Sequence, residues 1–410
     1  MQRWLKFTKY LQEFDIEPIV LTVNPSKATY PLRDESLKDE ISSEIQVFTT
    51  DTFEPFSVYK KATGRGEVPF SGFANESDKP GPRQIIAKFI RGNFFLPDAR
   101  RGWNKFALEK AEYLIKKFSI GTVITTSPPH STQLIGLKLK QKYGVKWLAD
   151  FRDPWTDIYY YNELYPTALA KYFDKKMELE VLINANIICT VSEDMKRLFA
   201  AKHKKIKAKK ITVLPNGYDE SDFENWKSPS NNRFTIVYGG TLTHKYNVQT
   251  FLKTLDKLAK EGLSIKLVFA GNQDEIVRNQ LDELQHLPIE RLGYLSHKEA
   301  LLNLQNADVL FLAIPDLPDN KGILTGKLFE YLAAKRPIIN IGPVDGDAAK
   351  IITEAKAGIT CHYTDASSIE IAVKELHEMW QAKKAREFKD AYIAKFSRKA
   401  LTGQLAALIS

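Results

Sequence analysis

Cysteine is scarce here: among 410 residues only Cys189 and Cys361 carry thiols. Two cysteines far apart, each inside an apolar run, exclude a disulfide framework and a zinc knuckle, and they suit a reducing cytoplasm. Long apolar runs are missing too. No stretch approaches the roughly 20 consecutive apolar residues of a membrane-spanning helix. Met1–Phe14 is amphipathic rather than evenly apolar, which argues against a signal peptide. There is no Walker loop, no Gly-x-Ser-x-Gly elbow and no Gly-x-Gly-x-x-Gly after a strand. Zinc-finger spacing and an RNP-type aromatic motif are likewise lacking, so nucleic acid is not an expected partner. The Asp345-Gly346-Asp347 triplet stands before a helix and reads as an N-terminal cap rather than a metal ligand. No metal is expected.

Charge of one sign is in surplus. Fifty-nine Lys and Arg against 50 Asp and Glu give a net charge of +9, which favours anionic partners such as phosphorylated ligands or an acidic membrane face. Some of it is clustered, in the lysines from Lys202 to Lys210 and in Arg100–Arg101. A solvated helix end and loop is the plainer reading of the lysine run.

The length calls for two domains. Short β-branched runs alternate with amphipathic stretches throughout, the pattern of parallel sheets wrapped by helices. Strands are expected at Ile19–Val23, Ile45–Thr49, Thr122–Thr126, Val145–Asp150 and Ile187–Val191. After Asn216-Gly217 and a linker at Asp219–Asn232 the pattern restarts, with strands at Phe234–Tyr238, Ile265–Ala270, Ile289–Leu292, Val309–Ile314, Pro337–Ile341 and Gly358–His362. The fold class is therefore α/β, with two Rossmann-like domains facing a cleft. Residues 1–216 form the first half and residues 217–387 the second, with a helical stretch at 388–410 after them. The chain opens in a helix with Trp4, Phe7, Leu11 and Phe14 on one face, where a doubly wound domain ordinarily opens with a strand and a glycine-rich turn. An opening strand and its turn are expected to be missing from the first sheet.

Ligands bind past the carboxyl ends of strands in such sheets. Past Val309–Ile314 a helix begins near Thr325, and its free N–H groups suit a diphosphate. Thr325 reads as the cap and Gly326 allows close approach. Lys327 adds positive charge, and Glu330, one turn on, can accept two ribose hydroxyls. The competing reading makes Thr325 an ordinary cap, with Lys327 and Glu330 a surface pair. Past Phe234–Tyr238, the Gly239-Gly240 turn brings backbone amides to phosphate, with Thr241 and Lys245 beside it; a plain tight turn competes equally. In the first half, His130 follows one strand within Ser-Pro-Pro-His, and Asp150, Arg152 and Asp153 follow the next within Ala-Asp-Phe-Arg-Asp-Pro-Trp, a group that suits acceptor positioning. Capping of the next turn by Asp150 or Asp153 and plain packing of Trp155 compete; His130 and Asp153 are the favoured candidates for positioning an acceptor. The stretch Arg83–Phe95 places Ile85, Ile86, Phe89 and Ile90 on one helical face. That face either rests on an anionic membrane or buries Ile85 and Phe89 in the core.

These segments together carry a resemblance. TGKLFEYLAAKRPII, ADFRDPW, TSPPHS, VLPNGYDESDF and the YGGTL turn, in this order on the expected elements, resemble the GT-B retaining glycosyltransferases of family four, especially a bacterial branch that builds cell-surface polysaccharide and lipopolysaccharide. The similarity covers essentially the whole chain. It implies transfer from a nucleotide diphosphate sugar to a glycan or lipid-linked acceptor, without a bound metal or further cofactor, on the cytoplasmic side of a membrane. It also implies that residues 1–216 bind the acceptor, that 217–387 bind the nucleotide sugar and that 388–410 cross back to the first half; the helix bearing Glu330 would hold the ribose, and His130 would contact the transferred sugar. The family's paired glutamates are not complete: Gly322 stands eight residues before Glu330. A non-catalytic relative and a nucleotide-sugar epimerase of the same architecture are the alternatives.

Overall fold

The computed structural model describes residues 2–29, 40–54, 81–224, 226, 229 and 231–410. Most of the irregular stretch expected at Asp51–Pro82 lies outside the described residues. The chain divides into two compact units, one made of residues up to Pro215 together with Thr402–Ser410, the other of Asn216–Leu401.

The first unit opens with α1 (Gln2–Leu11), followed by β1 (Ile19–Val23) and β2 (Gln46–Thr50). Next come α2 (Pro82–Phe94), α3 (Asn104–Phe118), β3 (Thr122–Ser127), α4 (Ser131–Tyr143) and β4 (Lys146–Phe151). The unit continues through α5 (Ala168–Asn184), β5 (Ile187–Thr190), α6 (Glu193–Ala201) and β6 (Ile211–Val213). Strands β3 to β6 pair in parallel in sequence order, whereas β1 and β2 form a separate parallel pair. Among the described residues no strand joins the β1-β2 pair to β3. Leu21 of β1 and Val123 of β3 nonetheless pack on one cluster formed by Ala107 and Ala111 of α3 with Ile135 and Leu139 of α4. Helix α4 can approach β4 because Gly136 has no side chain: a methyl group there would lie 2.1 Å from the buried Trp147 indole nitrogen.

The second unit holds β7 (Phe234–Gly239), α7 (Gln249–Lys260), β8 (Ile265–Ala270), α8 (Glu275–Asp282), β9 (Ile289–Gly293) and α9 (His297–Gln305). These are followed by β10 (Val309–Ala313), α10 (Gly326–Ala334), β11 (Ile338–Ile341), α11 (Asp347–Glu354), β12 (Gly358–Cys361) and α12 (Ala366–Gln381). After the short α13 (Asp390–Ile393), helix α14 (Arg398–Ile409) closes the chain. All six strands are parallel, in the order β12-β11-β10-β7-β8-β9. Central strands β7 and β10 are buried along nearly their whole length, because helices cover both faces and every side chain meets a core. Phe251 and Leu255 of α7 pack into one of these cores, and Leu328 and Leu332 of α10 into the other.

This order places a topological switch point between β7 and β10. The chain leaves β7 toward β8 on one side and leaves β10 toward β11 on the other. The chain thus departs to opposite sides after those two strands, and the carboxyl edge between them is the place where open α/β sheets bind ligands.

Candidate functional site

At the switch point of the second unit, two segments meet. After β7, Gly240 adopts φ 104° and donates its N–H to Ala270 at 2.7 Å. Gly271, at φ 144°, lets the strands close up there, since a methyl group on it would sit 2.3 Å from the Gly240 carbonyl oxygen. Gly239 donates to the Tyr331 hydroxyl of α10 at 2.9 Å, so the glycine turn is fastened to the helix after β10. Thr241 is exposed, and its carbonyl accepts from the Tyr238 hydroxyl at 2.9 Å. The carbonyl of Lys245 accepts from Asp316 N–H at 2.7 Å, linking the two loops a second time.

Thr325 stands at the N-cap position of α10, but its hydroxyl caps nothing. No side-chain hydrogen bond reaches the helix, and Thr325 Oγ1 is buried without a partner. Its expected capping role is thus corrected: the helix end is left open, with its first N–H groups and one buried hydroxyl unused. Nor do Lys327 and Glu330 form the surface pair of the plainer reading. Lys327 Nζ turns to the Tyr238 hydroxyl at 2.7 Å and lies over that ring, 4.2 Å from its centroid. A methyl group on Gly240 would lie 3.4 Å from the same Nζ, so lysine and glycine turn are neighbours. Burial lowers the Lys327 ammonium to a pKa of about 7, with Glu330 opposing the shift. Burial also raises the Glu330 carboxyl, against the charges of His297 and Arg398. Those two residues carry no local sequence signal, whereas Tyr238 and Tyr331 lie inside the YGGTL and TGKLFEYLAAKRPII segments, which by themselves assign them no role. Gly326 lies at the first turn of α10 with open space around it.

In the first unit, His130 and Asp153 do follow adjacent strands. The His130 ring stacks on Trp155 at 5.2 Å and on Phe151 at 6.3 Å, and its Nδ1 is buried without a hydrogen-bond partner. Burial and then the Arg152 charge push its pKa down to about 3, so the ring is neutral near pH 7. Burial raises the Asp153 carboxyl, with Arg152 opposing. Tyr160 faces this group: burial raises its pKa first, and the Asp153 charge adds to the rise.

Two neighbours do not face a ligand. Asp150, expected beside them, is fully buried and accepts from Arg3 Nη2 at 2.9 Å, Trp4 Nε1 at 2.8 Å and Thr126 Oγ1 at 2.8 Å. It is the anchor of α1, with Arg3 Nη1 reaching the Pro215 carbonyl at 2.6 Å. Arg152 spends its guanidinium on the carbonyls of Ser127 and Pro128. The lysine run is also partly structural: Lys202 holds Glu178 at 2.9 Å, and Lys210 donates to the last carbonyls of α5. In the Asp345-Gly346-Asp347 triplet the cap position falls to Gly346.

Comparison with known proteins supplies the family. Residues 69–222 match the model described as Glycosyltransferase Family 4, and residues 233–379 match that described as Glycosyl transferases group 1. The two cover most of the chain, one on each unit. By family and fold, this chain is a glycosyltransferase of the GT-B type.

Solved structures agree on the fold. A glycosyltransferase from Rickettsia africae superposes with a TM-score of 0.60 at 15% identity, covering 100% of this chain and 93% of its own. HepE of Anabaena, solved with UDP and glucose, gives 0.58 at 10% identity over 100% and 95%. The sucrose-phosphate synthase of Thermosynechococcus elongatus gives 0.59 at 13% identity over 98% and 90%. No curated protein matches the sequence. In this glycosyltransferase the gap between the two family matches, residues 223–232, follows shortly after the passage into the second unit at Asn216, the unit whose switch-point loops carry the open helix end.

Proposed function

We propose that this glycosyltransferase moves a sugar, with retention at its anomeric carbon, from a nucleotide diphosphate sugar to a cell-envelope glycan or lipid-linked acceptor at the cytoplasmic face, without a metal. The open N-terminus of α10 carries the reading: unused N–H groups, the unpartnered Thr325 hydroxyl, Lys327 and the Gly239-Gly240 turn converge where a diphosphate needs donors. HepE, of the same fold, holds UDP and glucose, which supports a nucleotide sugar as donor. Glu330 is the acceptor for the ribose hydroxyls. Thr241 and Lys245 line the donor end from the other loop.

The reaction breaks the bond between the anomeric carbon and the β-phosphate oxygen. It forms a bond from that carbon to the acceptor oxygen, and the acceptor's proton passes to the departing phosphate. Lys327, charged when it meets the diphosphate, and the helix N–H groups stabilise the negative charge that grows on the leaving group. His130, neutral with a free Nδ1, hydrogen-bonds a hydroxyl of the transferred sugar rather than acting as an acid. Asp153 orients the acceptor hydroxyl.

Release of nucleotide from a panel of UDP- and GDP-sugars tests this. Turnover with one donor class, lost in Lys327→Ala and Glu330→Gln, supports transfer. Gly322, in place of the family's first glutamate, favours a second reading in which nucleotide is bound but no sugar moves. Tight nucleotide binding without release from any donor and acceptor pair would establish that alternative.

A further inference from the structure

The first unit carries a large apolar surface with no partner among the described residues. Helix α2, one of whose readings buried Ile85 and Phe89, leaves both exposed, together with Ile86 at 59% and Phe94 at 74%. Helix α5 begins with Leu169, Tyr172 and Phe173, at 66%, 60% and 45% exposure, spaced to share one face. The two helices form one body. Asn93 donates its amide to the Tyr165 carbonyl at 3.0 Å and accepts from Thr167 N–H at 2.8 Å, at the start of α5. Gly92 brings α2 flat against Leu164, where a methyl group would lie 2.3 Å from the carbonyl oxygen.

Charge names the partner. Helix α2 has no acidic residue. The first nine residues of α5 contain one, Asp174, which is buried and accepts from Trp155 Nε1 and the Tyr161 hydroxyl. Glu163, beside α2, is paired with Lys88 at 3.8 Å. Arg91, Lys175 and Lys176 supply positive charge on the same two helices, and Lys175 and Lys176 are exposed. Exposed aromatic and aliphatic side chains set among lysines, on helices nearly free of accessible acid, are the chemistry of a helix lying in a lipid headgroup layer. The chain's net charge of +9 adds long-range attraction to it.

We infer that α2 and the first turns of α5 dock on an anionic lipid bilayer. The docked face adjoins the acceptor end: Asp98, four residues past α2, accepts from both the N–H and the hydroxyl of Ser131 at 2.8 Å, the residue after His130. Bilayer contact through α2 thus holds His130 near the lipid surface. That last consequence, delivery of a lipid-linked acceptor to His130, rests on the proposed transfer; the docking does not.

Flotation of the full chain with phosphatidylcholine vesicles, with and without phosphatidylglycerol, tests the docking. The parent should float with anionic vesicles only and be released by salt. Ile86→Glu with Phe173→Glu should abolish flotation, and Lys175→Glu with Lys176→Glu should weaken it by about tenfold or more. All four sites are exposed; should one pair of substitutions impair folding, judged by melting, the other carries the test. Absence of parent flotation, equal flotation on neutral vesicles, or unchanged flotation of both variants would overturn the inference. So would a parent dimer that either variant splits, which would assign the face to a second copy of the chain. UDP and GDP binding is measured on the same samples. Its absence with flotation intact counts against the donor site alone, and lost flotation with binding intact counts against the docking alone.

Discussion

Burial gives Lys327 a titration near neutrality, and this makes the proposed donor site testable by pH. A lysine lowered to about 7 is charged below that pH and must take up a proton to meet a diphosphate above it. Nucleotide affinity should therefore fall as pH rises from about 7 to 9, by up to roughly tenfold per unit. Calorimetry in buffers of different ionisation enthalpy should show net proton uptake at pH 8. Lys327→Arg, which stays charged, should remove the dependence, whereas Lys327→Met should lose affinity at every pH. In the unliganded protein the same shift has a stability consequence of fixed sign. Between about 7 and the ordinary lysine value of 10.5 the unfolded chain holds a proton that the folded one has released. Stability thus gains from this group as pH rises through that window. His130 behaves differently. With its pKa near 3, it should contribute no limb to a pH–rate profile between 5 and 8, and His130→Ala should lower turnover without altering the profile's shape.

Among the elements, the switch-point loops depend on glycines that no other residue can replace. Gly271→Ala places a methyl group against the Gly240 carbonyl at positive φ. It should cost more than about 1 kcal/mol of stability and weaken nucleotide binding, read by urea unfolding and titration of the same variant. In the first unit, α1 is held by a buried ion pair. Arg3→Ala leaves the Asp150 charge buried without its guanidinium and should cost about 3–5 kcal/mol, seen as a lower urea midpoint. Most strands were legible because each is a short apolar run between turn residues, and their observed bounds differ from expectation by a residue or so. Strand β6 was not, since Ile211–Val213 is three residues behind a lysine-rich stretch. At the proposed donor end, the strand-end positions of Lys327, Glu330 and the glycine pair were readable because strand ends recur in a known place. Arg398 was not, and neither were the roles of Tyr238 and Tyr331, though both lie in the resembling segments, since they arise from packing. Asp150 was misplaced for the opposite reason. Its strand-end position promised a ligand, but the side chain turns inward to Arg3 and Trp4.

For the whole molecule, each unit offers a different kind of candidate site: the second an open helix end at a switch point, and the first a neutral histidine stacked on Trp155 and Phe151. Family models fall one on each unit, and the excess positive charge suits both a nucleotide and a lipid surface. A ligand that binds the folded chain alone should raise its melting temperature by mass action, equivalent to about 2.7 kcal/mol at a hundredfold excess over Kd. The most direct measurement of the central claim is a calorimetric titration of the chain with UDP and GDP beside Lys327→Ala and Glu330→Gln. Selective micromolar binding of one nucleotide is expected, weakened about 10–100-fold in each variant. A cooperatively melting parent that binds neither nucleotide, or variants that bind as the parent does, would contradict the donor site.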